Sequence, residues 1–214
     1  MDRIKAKILP QIFIIYTRYA LGGAFVFASL IKIKGHRFTT ESGALDPINS
    51  AWHFFETMYQ SGLYWKFIGL GQLIAGFLLM TQKFSKLGAL VNFPIILNVF
   101  IITLSYYFAY TPVVTGLMLF ANILLILWEW NTIKFLFNLK PEFDTTIRLE
   151  KDVIWQIIGL LLFAFTFIYR LFIDKYNIAF WAITCLLIGS IGLILGLNRE
   201  RKRKRNLFNI NKNL

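Results

Sequence analysis

Residues 15–25, IYTRYALGGAF, place one arginine inside an apolar run that extends over residues 8–31. A helix of about 20 residues crosses the hydrocarbon core of a bilayer, so this run predicts a membrane-spanning helix that contains Arg18. The basic residues before the run resemble the start of a signal peptide. The run is too long for one, however, and it ends in Lys32-Ile-Lys34 rather than at a small-residue cleavage site, which favours a retained helix.

Further apolar runs of the same length follow along the chain. Their approximate bounds are 64–81, 85–107, 111–130, 153–172 and 177–197. The 214-residue chain is 57% hydrophobic and its mean hydropathy is +0.60, both above the values of an ordinary soluble domain. We therefore expect an all-α fold, a polytopic membrane helical bundle with six transmembrane helices.

The net charge of +12 comes from basic residues that lie between the spans rather than over a soluble surface. If the amino terminus lies inside the cell, most of the 23 lysines and arginines fall on the cytoplasmic side. The positive-inside rule then predicts that both termini are cytoplasmic, in a bacterial-type inner membrane. The basic segment 199–205 directly follows a span, so we interpret it as a topology anchor on anionic lipid headgroups rather than as a nucleic-acid site.

The connections between the spans differ in length and divide the chain into parts. Within the long outer connection, Trp52, Phe55 and Tyr59 fall at helical spacing, which predicts an amphipathic helix in the headgroup plane. The predicted parts are a four-helix membrane core at 1–133 with the outer amphipathic segment at 50–63, a cytoplasmic linker at 134–152, a C-terminal transmembrane pair at 153–198 and a basic cytoplasmic tail at 199–214.

Polar residues within the spans indicate which helix faces point inward, because polar side chains in lipid seek one another. Glu129 is the only acidic residue in a span at a depth that matches Arg18. We predict an ion pair between them, with Gln72, Asn92 and Asn122 completing its hydrogen bonds. Three interpretations remain open: a structural clamp, a contact to a ligand or substrate, and snorkelling of Arg18 towards the interface.

A second polar group is predicted on the outer side, where charged residues flank the first span and the long connection. Its members are Lys32, His36, Arg37, His53 and Glu56. Their spacing matches no metal-binding pattern, and neither histidine lies in a span where it would ligate a haem. We expect no metal site here, and we interpret the cluster as ion pairs that dock the connection onto the bundle.

Small residues within the spans carry little chemistry of their own. Cys185 is the only cysteine, so disulfide exchange within this chain is excluded, and we interpret it as a packing residue. The Gly22-Gly23 pair predicts close helix packing. The sequence has no phosphate-cradling glycine loop and no Gly-x-Ser-x-Gly elbow, which argues against several classes of soluble enzyme.

Several segments resemble the DoxX-like family of small membrane proteins over about residues 12–133. They are TRYALGGAFVFASLIKIKGHRFT at 17–39, YWKFIGLGQLIAGFLLMTQKFSKLGALVNFPIILNVFIITLS at 64–105 and LILWEW at 125–130. The resemblance implies a four-helix membrane bundle, to which the last two spans are an addition. Some members of that family are tied to thiosulfate:quinone oxidoreductase or to membrane redox complexes, and others are cargo receptors or assembly factors. The resemblance identifies no catalytic residues in this chain.

These observations favour a membrane module that is not catalytic by itself and that binds a lipid-like molecule or a partner protein. One alternative is a membrane subunit of a quinone-linked oxidoreductase, in which Arg18 and Gln72 hydrogen-bond the quinone oxygens and a partner carries the redox centre. Another is a small-solute transporter. The sequence does not identify a cofactor, and a quinone is compatible with it. The expected partners are membrane lipids and a membrane protein or a second copy of the chain, and not nucleic acid.

Overall fold

The computed structural model describes residues 2–142 and 148–212 as helices and the connections between them, with no strand among these residues. Six helices are long and apolar enough to cross a membrane, which confirms the predicted all-α bundle of six spans. In chain order the helices are α1 (Asp2–Lys5), α2 (Ile8–Ile33), α3 (Ala51–Gln60), α4 (Leu63–Met80), α5 (Ser85–Ser105), α6 (Thr111–Trp128), α7 (Trp130–Ile133), α8 (Val153–Phe172) and α9 (Ile178–Lys212), and two 3-10 helices cover Lys134–Phe137 and Leu149–Lys151.

The six long helices alternate in direction, so the connections between them fall at two opposite ends of the bundle. We call the end where α2 begins and α8 begins the terminal end; it also holds the turn at 81–84 and the connection at 129–152. We call the opposite end, which holds α3, the α3 end. Residues 143–147 of the predicted linker and residues 213 and 214 of the predicted tail lie outside the described residues.

Helix α2 is the central helix, and apolar cores form on two of its sides. On one side Leu21 and Phe25 pack with Leu79 of α4 and Leu125 of α6. On the other side the core is shared with α8 and α9. Its buried members are Ile15, Tyr19, Val26, Met80, Leu149, Trp155, Ile158 and Leu162. A helix with apolar neighbours around it has little surface left for lipid, which is why Arg18 on this helix is buried.

Glycines allow α2 and α4 to approach closely. A Cβ atom on Gly22 would lie 2.9 Å from the Gly76 carbonyl oxygen, and one on Gly76 would lie 2.7 Å from the Gly22 carbonyl oxygen. Small residues at such a crossing let backbones pack directly, as membrane helices often do. The packing prediction therefore holds for Gly22. It is wrong for Gly23, because a Cβ atom there would meet nothing within 4 Å.

The last two long helices attach to the side of α2 that faces away from α6. The Tyr19 hydroxyl donates to the Trp155 carbonyl oxygen of α8, and the Tyr16 hydroxyl donates to the Gly189 carbonyl oxygen of α9 at 2.6 Å. Helix α9 runs on without a break through the basic segment 199–205, since that segment has no glycine or proline to stop it and consists of good helix formers.

The predicted amphipathic segment forms α3. Its N-cap is Ser50, whose side-chain oxygen accepts a hydrogen bond from the His53 backbone N–H at 3.2 Å. The apolar side of the helix contacts the long-helix bundle through aromatic rings: Trp52 and Phe55 both pack edge-on against Phe108 between α5 and α6. Helix α3 thus covers the end of the four-helix core formed by α2, α4, α5 and α6.

Candidate functional site

Arg18 lies in the part of α2 nearest the terminal end, with 1% of its side chain exposed. Its Nη2 atom donates to Glu129 Oε1 at 2.9 Å, which confirms the predicted ion pair. Its Nη1 atom donates to Glu150 Oε2 at 2.6 Å and to Gln82 Oε1 at 3.0 Å. A buried guanidinium is stable only when such acceptors satisfy its N–H groups and balance its charge. Two connections of the chain supply them here: the turn at 81–84 provides Gln82, and the connection at 129–152 provides Glu129 and Glu150.

A second arginine closes a ring of alternating charges around this pair. Arg148 Nη1 donates to the Glu129 oxygens at 2.8 and 3.0 Å and to Glu150 Oε1 at 3.0 Å. We call Arg18, Glu129, Arg148 and Glu150 the charge network. Burial raises the pKa of Glu150, but the positive charges of Arg18 and Arg148 outweigh burial and hold that pKa below its ordinary value. The two carboxylates thus balance the two guanidinium groups.

The segment that carries Arg148 and Glu150 is held in place by α2. The Gln11 Oε1 atom accepts a hydrogen bond from the Leu149 backbone N–H at 2.6 Å, and Gln11 Nε2 donates to the Lys5 carbonyl oxygen at 2.7 Å. This fixes the short 3-10 helix before α8 against the start of α2. Sequence reasoning missed Gln82, Arg148 and Glu150 because it searched only the spans for partners of Arg18, whereas all three lie in connections just beyond span ends.

Asn92 and Asn122 bond to each other and not to the charge network, so this part of the prediction is wrong. Asn92 Nδ2 donates to Asn122 Oδ1 at 2.9 Å, and Asn122 Nδ2 donates to the Ala89 carbonyl oxygen at 3.1 Å. Both side chains are fully buried. Amide groups in an apolar interior take the nearest polar partner, and here that partner lies across the contact between α5 and α6.

Gln72 does not reach the charge network either, which corrects the prediction a second time. Gln82, one of the residues that contact Arg18, follows Gln72 by ten positions. That separation corresponds to about 15 Å along a helix. Gln72 is 6% exposed, and its Oε1 atom has no hydrogen-bond partner among the described residues. It lines a cavity instead, on the side of the bundle towards the α3 end.

This cavity has a volume of about 770 Å³ and lies among the helices of the four-helix core, open in part to their outer surface. We call it the apolar cavity, because its walls are mostly aliphatic and aromatic. Helices α2, α4, α5 and α6 supply the walls, and Phe55 and Met58 of α3 close one end. Several wall residues are also exposed on the outer surface of α4 and α5, among them Phe67 and Asn98. Arg18 is not among the lining residues.

Lys32 is the one basic side chain in the wall of the apolar cavity. It is 7% exposed, and its Nζ atom donates to the Ala28 carbonyl oxygen at 2.8 Å. The same ammonium lies 5.2 Å from the ring centroid of Trp65 and 5.4 Å from that of Phe38, which places it among aromatic faces. An ammonium has three N–H donors, and within the described part of the chain no carboxylate pairs with Lys32. The cavity therefore contains a buried amine whose remaining N–H groups a ligand can accept from.

Arg37 and Glu56 form the part of the predicted outer cluster that the structure brings together. The Arg37 Nε and Nη2 atoms donate to the two Glu56 oxygens at 2.8 and 2.9 Å, and Gln60 Nε2 adds a hydrogen bond at 3.1 Å. The hydrogen bonds from Arg37 lower the pKa of Glu56 to about 2, even though burial opposes this. This bidentate pair ties α3 to the segment that follows α2, as the docking interpretation predicted.

The other members of the predicted outer cluster lie apart from that pair. His36 Nδ1 is 3.9 Å from Asp174 Oδ1, beside a shorter contact of 2.8 Å between Lys34 Nζ and the same oxygen. The His53 Nδ1 atom is buried without a hydrogen-bond partner in the described ranges. In residues 2–142 and 148–212, no group of three histidine, cysteine or acidic side chains is arranged to hold a metal ion.

Comparisons of the chain with protein families, with curated proteins and with solved structures each found no match. The resemblance to the DoxX-like family therefore stays a prediction.

Proposed function

We propose that this protein is a membrane module that binds one lipid-like molecule in the apolar cavity. The observation that carries the proposal is the cavity itself: about 770 Å³ of space in the four-helix core, lined mainly by apolar side chains. Ligand sites commonly have volumes of about 300 to 1,000 Å³, with apolar walls and a few polar groups that orient the ligand. A molecule with an apolar body and a small polar group fits these properties.

Two polar groups in the wall support this ligand class. Gln72 Oε1 is a buried acceptor with no donor among the described residues, and Lys32 has donor capacity beyond its single bond to Ala28. A buried polar atom without a partner costs about 1–3 kcal/mol, which a ligand that supplies the partner recovers. The polar group of the ligand would lie between Gln72 and Lys32, and its apolar body along α4 and α5.

The proposed ligand would enter the apolar cavity from the bilayer. Wall residues such as Phe67, which is 68% exposed, also form the outer surface of α4. A lipid-like molecule would pass between α4 and α5 without crossing a polar layer. A quinone belongs to this ligand class: its carbonyl oxygens would accept hydrogen bonds from Lys32, and the hydroxyl of its reduced form would donate to Gln72 Oε1.

The test is mass spectrometry of the small molecules that remain after purification in a mild detergent. Lys32→Met and Gln72→Leu remove the two polar contacts. The controls are Lys66→Met and Asn49→Leu, which make comparable changes at exposed positions near the α3 end and outside the cavity. We expect one retained amphiphile per wild-type chain, a decrease of about tenfold in each cavity variant, and wild-type retention in the controls.

The identity of the retained molecule then separates the functional classes. A quinone would place the protein beside a redox partner, and a phospholipid or fatty acid would favour a lipid-binding or assembly role. Equal retention in wild-type protein and in both folded cavity variants would contradict the proposal.

A further inference from the structure

A second cavity lies at the terminal end of the bundle and differs in chemistry from the apolar one. Its volume is about 570 Å³. Its walls come from the turn between α4 and α5, the first turn of α5, the end of α7, the segment 148–151 and the start of α8. We call it the polar cavity. The lining residues are Gln82, Lys83, Ser85, Lys86, Thr132, Arg148, Glu150, Lys151 and Gln156.

Positive charge predominates in the wall of the polar cavity. Lys83, Lys86, Arg148 and Lys151 contribute four cationic groups, whereas Glu150 is the one carboxylate. The negative charge of Glu150 is already shared between two guanidinium groups in the charge network. It therefore does not neutralise the lysines.

Two of the lysines are not committed to a carboxylate. Lys86 Nζ lies 3.5 Å from Glu129 Oε2, but in the part of the chain that the structure describes neither Lys83 nor Lys151 has an acidic partner. Lys83 Nζ instead lies 5.5 Å from the ring centroid of Phe84. Concave surfaces lined by one sign of charge concentrate ions of the opposite sign.

The first turn of α5 adds hydrogen-bond donors to the same wall. Ser85 and Lys86 are the first two residues of this 21-residue helix, and no side chain caps its N-terminus. The first N–H groups of a helix have no intrahelical partner and carry the positive end of the helix dipole, so they bind phosphate and similar anions well. The Gln82 side chain and the Ser85 hydroxyl are polar neighbours of these donors.

We propose that the polar cavity binds a phosphate group, either the headgroup phosphate of an anionic phospholipid or a free phosphate ester. The cavity lies where the spans end, at the depth of lipid headgroups, and α9 extends its basic segment 199–205 from the same end of the bundle. The phosphate lies against the start of α5 between Lys83, Lys86 and Lys151. This proposal is independent of the ligand in the apolar cavity.

The experiment titrates the full-length protein in a neutral detergent with short-chain phosphatidylglycerol and, in a second arm, with inorganic phosphate, and follows binding by native mass spectrometry and thermal shift. The variant Lys83→Gln/Lys151→Gln removes two charges from the cavity and leaves the charge network intact. The matched control, Arg201→Gln/Lys202→Gln, removes two exposed charges from α9 at the same end of the bundle.

We expect saturable binding to the wild-type protein, a loss of affinity of about tenfold or more in the cavity variant, and less than about twofold in the control, since each lysine near a lipid surface changes affinity severalfold. Binding in the lipid arm alone identifies a headgroup site, and binding in both arms identifies a site for the phosphate itself. Equal losses in the two variants would mean general charge attraction and would overturn the proposal, as would the absence of saturation in both arms.

Discussion

Arg18 Nη2 lies 2.9 Å from Glu129 Oε1, with 1% and 2% of the two side chains exposed. The pair joins the central helix α2 to the end of α6, and Arg148 and Glu150 extend it to the segment before α8. An isolated charge in this position would be costly, whereas a closed ring of two cations and two anions satisfies all four groups. These contacts favour the structural clamp among the three interpretations of Arg18, and they link the segment before α8 to the four-helix core.

Removing one carboxylate from the charge network will destabilise the protein strongly. In Glu129→Gln, Arg18 and Arg148 lose one of the two carboxylates that they share while remaining buried. Breaking a buried pair in this way costs about 3–5 kcal/mol. The measurement is the apparent melting temperature in detergent. Glu142→Gln is the control, because Glu142 is 70% exposed and its ion pair with Lys134 lies on the surface, where such pairs contribute about 0–1 kcal/mol. Equal melting curves for both variants would contradict the clamp.

The neighbouring glycines of α2 will respond differently to the same substitution. Gly22→Ala forces a Cβ atom to within 2.9 Å of the Gly76 carbonyl oxygen, so α2 and α4 must separate, at a cost of about 1–3 kcal/mol. Gly23→Ala has free space at its Cβ position and favours the helix by up to about 1 kcal/mol. Melting temperatures of the two variants measured side by side test this. If Gly23→Ala lost stability and Gly22→Ala did not, α2 would contact α4 through the face that carries Gly23, which would contradict the crossing at Gly22.

The asparagine pair will show measurable coupling between α5 and α6. Asn92→Leu and Asn122→Leu each remove one side of a buried hydrogen bond of 2.9 Å. A double-mutant cycle should give a coupling of about 0.6 kcal/mol, with an upper limit of about 1.7 kcal/mol, the range of interhelical hydrogen bonds in membranes. Asn98→Leu on the same helix is the control, since Asn98 is exposed. A coupling of zero would mean that the two amides contribute independently.

Acid will weaken the attachment of α3 because it protonates Glu56, the partner of Arg37. Its pKa is lowered from 4.5 to about 2 by Arg37, so the stability that the carboxylate contributes is present above its ordinary pKa and is lost as the pH falls towards 2. The wild-type melting temperature should therefore fall more steeply between about pH 5 and about pH 3 than that of Glu56→Gln. Glu41→Gln, an exposed change in the same connection, should retain the wild-type slope. Parallel slopes for wild-type and Glu56→Gln would argue against the Arg37 contact.

Hydropathy and helical phase predicted much of this architecture. All six spans begin within one residue of their predicted positions, because about 20 consecutive apolar residues leave little freedom in where a helix crosses a bilayer. The ion pair between Arg18 and Glu129 was predicted because Glu129 is the acidic residue in a span that lies at the same depth as Arg18. The continuation of α9 through residues 199–205 was missed, since a change from apolar to basic residues marks the end of a span and not the end of a helix.

The remainder of the site depends on tertiary packing that a single sequence does not display. Gln72 has the inward phase that the sequence predicts, but depth places it in the apolar cavity rather than beside Arg18. Arg148 and Glu150 reach the charge network only because Gln11 ties their segment to α2. No spacing rule links residues that are separated by more than a hundred positions. The apolar cavity is likewise a space between four helices, and each helix by itself reads as an ordinary span.

The most direct test of the central claim is native mass spectrometry of the protein released from nanodiscs, comparing wild type with Ala28→Phe. Ala28 lines the apolar cavity, so the larger side chain fills part of its space. Ala179→Phe makes the same change on the exposed surface of α9 and serves as the control. We predict that wild type and Ala179→Phe each carry one bound amphiphile per chain and that folded Ala28→Phe carries none. Equal occupancy in all three proteins, or an empty wild-type protein, would contradict the proposed function.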